Sequence, residues 1–251
     1  MDTVRLTSGT RVADGSLVSL LDAAAVCAKV RKWFVVGGHM VNLHIVRSGL
    51  RLPRRDTNDA DIAVPLRTIR QGDLVARIRH LGYANAVFDN RFDREVDGIV
   101  SSIDLLVASY STKHQPNIDG AVIGIDGMPG VDEALGRDPV VIEVIAELTD
   151  GTRMEGIVHL PDLVSAITMK TFAVAERSNP RDAEDLGHLL EIAHAQGLRA
   201  DTWPRGKAFQ AATRQLSAQF DAPGSALAQA STNVAEQGRL RDITRSLLPT
   251  P

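Results

Sequence analysis

Hydrophobic positions along this chain follow two regimes. From Ser16 to Lys32 the apolar residues Leu17, Leu20, Leu21, Ala24 and Val30 recur at helix-compatible spacing, with Ser16 placed to cap the start. Trp33 to Val36 is a short apolar run of strand type, followed by a second helix from about His39 to Ser48 that Gly49 ends. Leu50 to Asn58 is an arginine-rich loop, Ala60 to Pro65 a strand, and Arg67 to Leu81 one amphipathic helix stopped by Gly82. A run around Ala86 to Asp93 precedes a strand from Gly98 to Leu106, alternating at first and apolar at its end. Residues 1–14 are mixed and peripheral, a short tail or strand, and Lys113 to Asp138 is loop with short strands. Val140 to Leu148 and Met154 to His159 form two strands joined at Asp150 and Gly151, a hairpin signal. From Pro161 the period turns helical: Leu163 to Arg177, Arg181 to Gln196, Trp203 to Phe220 and Ser225 to Leu248. The pattern predicts an α/β part of α+β type over residues 1–160 and a helical C-terminal part over 161–251, with no internal repeat.

Composition narrows this picture. The chain has 251 residues, 44% of them hydrophobic, enough for one large domain or two modest ones. Its formal charge of −3 gives no global basic field for nucleic acid, though a local patch is compatible with that sum. The single cysteine, Cys27, excludes an internal disulfide framework and a Cys-rich zinc site; its apolar helical surroundings make it a buried thiol. The longest apolar stretches are cut by Asp22, Lys29 and Arg31, and the N-terminus lacks a signal pattern. A soluble cytoplasmic protein is the simplest reading.

The candidate chemistry lies between residues 35 and 64. A strand runs into Gly37 and Gly38 and then a helix; such a turn brings backbone N–H groups and a positive helix end to a phosphate. About twenty residues on, Asp59 and Asp61 stand one residue apart, so on a strand they share a face and can ligate one hard cation such as Mg²⁺. Asp104, just before the apolar end of its strand, suits a third carboxylate for a second ion or for activating an attacking hydroxyl. His39 and His44 are five apart, not four, and form no zinc motif; on a core-facing helix they read as structural. Arg47, Arg51, Arg54 and Arg55 precede the aspartates. Arg55 and Thr57 stand out by their fixed offset from the pair. Lys170 precedes a segment, Arg177 to Asp185, in which Asp182 and Asp185 share one face of a helix's first turn, open to a salt-bridged helix pair or to a triphosphate contact.

The order Gly37-Gly38, then Arg55-x-Thr57-x-Asp59-x-Asp61-Ile62, then Ile103-Asp104-Leu105 resembles the nucleotidyltransferase superfamily of the polymerase-beta type. The later block, Leu160-Pro-Asp-Leu163, Lys170-Thr-Phe-Ala173, Arg177 and Arg181-Asp182-x-x-Asp185-Leu186, is similar to the AbiEii-type branch. That branch includes MenT-like enzymes and toxins of type IV toxin–antitoxin systems. The resemblance covers roughly residues 15–195 and implies a mixed sheet with flanking helices. It implies transfer of a nucleoside monophosphate from an NTP to an acceptor hydroxyl, with tRNA as acceptor, Mg²⁺ or Mn²⁺ as cofactor and a small antitoxin as partner. Carried over residue by residue, Gly37 and Gly38 hold the triphosphate, with Arg55 and Thr57 beside it. Asp59, Asp61 and Asp104 bind the metal, and Lys170 contacts phosphate. Asp182 positions Lys170 or substrate, with Asp185 a second residue for that task. One departure is His39, which stands where the superfamily often has Ser or Thr. Two other readings stay open: modification of an aminoglycoside or lincosamide antibiotic, and a non-catalytic nucleotide-binding module on the same fold.

Overall fold

The computed structural model describes residues 1–86, 90–177, 179–221 and 226–248. The chain runs β1 (Asp2–Thr7), α1 (Arg11–Cys27), β2 (Phe34–Val35), α2 (Gly37–Ser48), β3 (Asp59–Ala63), α3 (Leu66–Arg70), α4 (Asp73–His80), β4 (Ala84–Asn85) and β5 (Arg91–Val96). It continues with β6 (Ile99–Ala108), β7 (Gln115–Asp119), β8 (Gly124–Met128), α5 (Val131–Leu135), β9 (Val140–Glu147) and β10 (Arg153–Leu160). The helices α6 (Leu163–Arg177), α7 (Pro180–Ala195), α8 (Lys207–Asp221), α9 (Ala226–Ala230) and α10 (Val234–Leu247) complete the order. The expected mixed α/β fold is present.

The larger sheet has the order β2-β3-β6-β5-β4, with β8 on β6 and β7 on β8. Its spine is β6, which pairs parallel with β3, antiparallel with β5 and, at its last residues, parallel with β8. The smaller sheet joins β1 parallel to β9 and closes the β9–β10 hairpin expected at Asp150 and Gly151. Between the two sheets lies α1, against β6 on one side and β10 on the other. That position explains why Ser16 and Ser19 are buried along with Leu17, Leu20 and Leu21. Both faces of α2 are used as well: Leu43 joins the core of the sheets, while Met40, Val41 and Ile45 join a second core built with α6, α7, α8 and α10. Among the described residues, no helix is long and apolar enough to cross a membrane.

Several expected boundaries move, each for a local reason. The first helix starts at Arg11 rather than Ser16, because Thr10 accepts the capping bond from the Ala13 N–H at 3.2 Å. The expected helix from Arg67 to Leu81 is two helices, broken at Gly72, which adopts φ +79°. Trp203 lies outside α8, which starts only after Pro204 and Gly206, at Lys207. The last expected helix is split into α9 and α10 by a turn in which Asn233 caps the Ala235 and Glu236 N–H groups. Ser225 and residues 87–89 of the Ala86 to Asp93 run lie outside the described residues; the next strand is β5.

Both histidines of α2 are buried. The Nε2 of His39 lies 3.0 Å from Ser16 Oγ and 3.1 Å from Ser16 O, and the His44 Nε2–H donates to Pro161 O at 3.1 Å. Burial pulls both imidazoles down to about 4 from the usual 6.5, so both are neutral at pH 7. Below pH 6.5 the unfolded chain takes up protons that the fold refuses until about pH 4, so stability falls across that window. His44→Gln keeps an amide donor for Pro161 O and should flatten the fall by about 1.4 kcal/mol per pH unit. Urea midpoints between pH 7 and pH 5 would measure this; an unchanged slope would mean that His44 titrates normally in the fold.

Candidate active site

Strand register assembles the site. In the parallel pairing of β3 with β6, Asp61 stands directly opposite Asp104; in the antiparallel pairing of β5 with β6, Arg91 stands opposite Asp104 too. One row thus crosses three strands as Asp61, Asp104, Arg91. Asp59, two residues before Asp61, takes the same face. The intervening Ala60 and Ile62, with Ile103 and Leu105 of β6, turn to the other face and are fully buried. Carboxylate oxygens of Asp59, Asp61 and Asp104 all come within 4.8 Å of one another. Burial and then its two acidic neighbours push the Asp61 carboxyl up to about 7, and burial also raises Asp104, against the pull of Arg91. Three converging hard oxygens whose repulsion a cation would relieve make a donor set that fits Mg²⁺ or Mn²⁺.

Arg91 already supplies one positive charge there. Its Nε–H donates to Asp104 Oδ1 at 2.8 Å, and its Nη2 donates to Asp104 Oδ2 at 2.9 Å and to Asp59 Oδ2. The fork thereby spans two of the three carboxylates.

The glycine turn abuts this row. The Val36 N–H donates to Asp61 O at 2.9 Å, and Gly37 opens α2 at φ +63°. A Cβ on Gly37 would land on the Asp61 carboxylate, and one on Gly38 would meet Arg55 Nη2 and Thr57 Oγ1, each at 2.8 Å. Only glycine gives this backbone its approach to the acidic row. Thr57 therefore offers a hydroxyl beside the turn; His39 has none, and its ring is turned to Ser16.

Lys170 anchors the opposite wall from α6. Its ammonium, nearly buried, donates to Asp182 Oδ1 at 2.9 Å and Asp185 Oδ2 at 2.6 Å, both on the first turns of α7. Arg55 forks onto Asp185, with Nε 2.9 Å from Oδ1 and Nη2 3.0 Å from Oδ2, and Arg177 lies 3.2 Å from Asp182 Oδ2. Burial of Asp182 and Asp185 is thus compensated by three cations. Of the arginines before the aspartates, Arg55 reaches this network, Arg47 pairs with Asp2, and Arg51 and Arg54 are exposed.

A cavity of about 330 Å³ opens between Gly37, Asp61 and Asp104 on one side and Lys170 and Arg177 on the other. Met40, Leu106, Met128 and Met169 give it an apolar lining, and His114, Asp126 and Glu176 stand at its edge. His114 lies 3.3 Å from Asp126 and 3.9 Å from Glu176. Sequence reasoning missed Arg91 and these three. Arg91 did have a signal, since Arg91, Phe92 and Asp93 alternate polar, apolar, polar. Asp126 falls in the stretch expected to be mostly loop.

No protein-family model matches the chain, and no curated protein does either. Among solved structures it is similar to an antigenic nucleotidyltransferase-like protein from Paracoccidioides brasiliensis, at 11% identity and a TM-score of 0.44 over 98% of this chain and 96% of that one. It is also similar to the antibiotic-resistance factor ANT(2'')-Ia, at 14% identity and a TM-score of 0.34 over 94% of this chain and 93% of that one. Likenesses this distant assign no activity, so function rests on the side chains.

Removing the Lys170 ammonium would leave each of two buried carboxylates with a single arginine. Lys170→Met should lower stability by roughly 3–5 kcal/mol, read from chemical denaturation at pH 7. A midpoint that does not move would mean that Arg55 and Arg177 suffice for both acids.

Proposed function

We propose that this chain is a divalent-cation-dependent nucleotidyltransferase that moves a nucleoside monophosphate from an NTP to an acceptor hydroxyl. One observation carries the reading: the Asp59, Asp61 and Asp104 oxygens converge beside a glycine-opened helix end, across a cavity from Lys170 and Arg177. In this reading residues 1–160 form the catalytic domain, and the helical part, 161–251, lends it Lys170 and Arg177.

The three aspartates would hold Mg²⁺ or Mn²⁺, which would neutralise phosphate charge and make the α-phosphorus more electrophilic. The backbone of Gly37 and Gly38 receives phosphate oxygens at the positive end of α2, and Thr57 adds its hydroxyl. Lys170 and Arg177 attract the phosphates from the other wall, with Asp182 and Asp185 fixing the ammonium's position and Arg55 holding Asp185. The apolar lining accommodates the base. Asp104 accepts the proton of the acceptor hydroxyl; the new O–P bond forms in line as the bond to pyrophosphate breaks.

For the acceptor we propose tRNA, with the chain acting as the toxin of a type IV toxin–antitoxin pair and a small antitoxin as its partner. The resemblance of the Lys170 to Asp185 block supports that branch. A cleft of about 620 Å³ lined by Lys29, Arg31, Lys32, Arg67 and Arg77 supports RNA, because it concentrates positive charge on a chain whose net charge is −3. That cleft sits beyond the C-terminal end of β3, whereas Asp59 opens the strand, so a long acceptor would have to reach both. A second reading is favoured by the edge of the cavity itself: Asp126 and Glu176 present carboxylates to a cationic small acceptor such as an aminoglycoside.

Incubation with labelled NTPs, Mg²⁺ and total tRNA should label tRNA, and Asp59→Ala should lower the rate at least about 100-fold without loss of fold. Label on an aminoglycoside or lincosamide instead would select the second acceptor. Nucleotide binding with no transfer to either would leave a non-catalytic binding module, and an active Asp59→Ala variant would remove Asp59 from the site.

A further inference from the structure

Both Asp104 oxygens receive N–H groups from Arg91, which also holds Asp59, so a cation reaching Asp104 or Asp59 meets a positive charge already seated on them. The guanidinium thus occupies the side of the acidic row that a divalent ion needs. Asp93, on the same strand and two residues along the same face, has one buried carboxylate oxygen with no hydrogen-bond partner. A buried unpaired carboxylate oxygen is unfavourable, and a positive charge arriving there relieves it.

We infer that Arg91 is a built-in counter-cation of the acidic row, which a divalent cation displaces from Asp59 and Asp104 and which then turns to the unpartnered oxygen of Asp93. The inference rests on the nucleotidyl-transfer reading only in placing a cation on Asp59, Asp61 and Asp104. Arg91 is on this account a positioning residue. Without the cation it bridges Asp59 and Asp104 and offsets their repulsion, so the row is preformed. With the cation it is a competitor, and its departure frees Asp104. In the exchange one guanidinium leaves the row as one dication enters, so the row's formal charge rises from −2 to −1, and Asp93 gains the partner it lacks.

Manganese titrations on the full chain, read from the free Mn²⁺ signal in electron paramagnetic resonance, test this without any substrate. Arg91→Gln should bind Mn²⁺ on the order of tenfold more tightly than the wild type, because a competing charge is gone. Arg91→Lys, which keeps the charge but not the fork, should fall between them and carries the test if the Gln variant fails to fold. In the metal-free state Arg91→Gln should melt at a lower temperature than the wild type and gain more from added Mn²⁺. Asp93→Asn should weaken Mn²⁺ binding more in the wild-type background than in the Arg91→Gln background, since only the former has a guanidinium to rehouse. Equal or weaker Mn²⁺ binding by both Arg91 variants, with the wild type binding normally, overturns the role of Arg91 alone. Equal effects of Asp93→Asn in the two backgrounds overturn the role of Asp93. No Mn²⁺ binding by the wild type or any variant overturns the inference together with the metal-dependent reading.

Discussion

Everything at the site depends on the parallel register of β3 against β6. That register sets Asp61 opposite Asp104, a juxtaposition of like charges that two isolated strands would avoid. It is held from the other face of the sheet, where Ala60, Ile62, Ile103 and Leu105 are fully buried. A slip of one residue would put the aspartates into that core and the isoleucines into the cavity. Each fully buried Ile or Leu contributes about 1.5–3 kcal/mol, so three of them outweigh the repulsion between partly solvated, part-neutralised carboxylates. Hydrophobic burial on one face therefore maintains an electrostatically unfavourable arrangement on the other.

A different device fixes the opposite wall. Lys170, Asp182 and Asp185 are nearly buried, and buried ion pairs stabilise little after desolvation, so this network is better understood as a positional constraint than as a source of stability. Its reach is what matters. Through Arg55 it ties the loop before β3 to α7, and through Lys170 it ties α6 to the same turn. The glycine turn, the acidic row and the helical C-terminal part thus meet at one cluster of five side chains. Moving the loop that carries Arg55 would cost Asp185 one of its two cationic partners, and moving α6 would cost Asp182 both of its own.

The residues with a short-range signature were legible in the sequence. The alternation of Asp59 and Asp61 with Ala60 and Ile62 announces a two-faced strand, and the spacing of Asp182 and Asp185 announces one face of a helix turn. The mixed α/β class and the hairpin at Asp150 and Gly151 arise from the same local periods. What escaped reading depends on long-range pairing. Arg91 matters because β5 lies beside β6 in one register, and nothing in its own neighbourhood states which residue it will face. The break at Gly72 escaped for another reason: an isolated glycine is tolerated inside a helical pattern, and only the positive φ it adopts ends α3 there. Likewise Ser16 looks like a cap until the fold buries it against His39, leaving Thr10 to do the capping.

Taken together, the two walls make the cavity electrically polar rather than simply charged. Asp59, Asp61 and Asp104 with Arg91 sum to a formal −2, from three carboxylates and one guanidinium. The network of Arg55, Lys170 and Arg177 with Asp182 and Asp185 sums to +1, from three cations and two carboxylates, and Lys170 and Arg177 present it to the cavity. A ligand that carries only negative charge would be drawn to one wall and repelled by the other. A cation–polyphosphate complex suits both at once, with the cation toward the aspartates and free phosphate oxygens toward Lys170 and Arg177. Low-dielectric lining from Met40, Met128 and Met169 strengthens that orientation, since fields between fixed charges are screened less where water is excluded. The same polarity makes the charge on Asp61 consequential. Burial and its acidic neighbours push its carboxyl up, which disfavours the charged form when no cation is near, and a cation would favour that charged form.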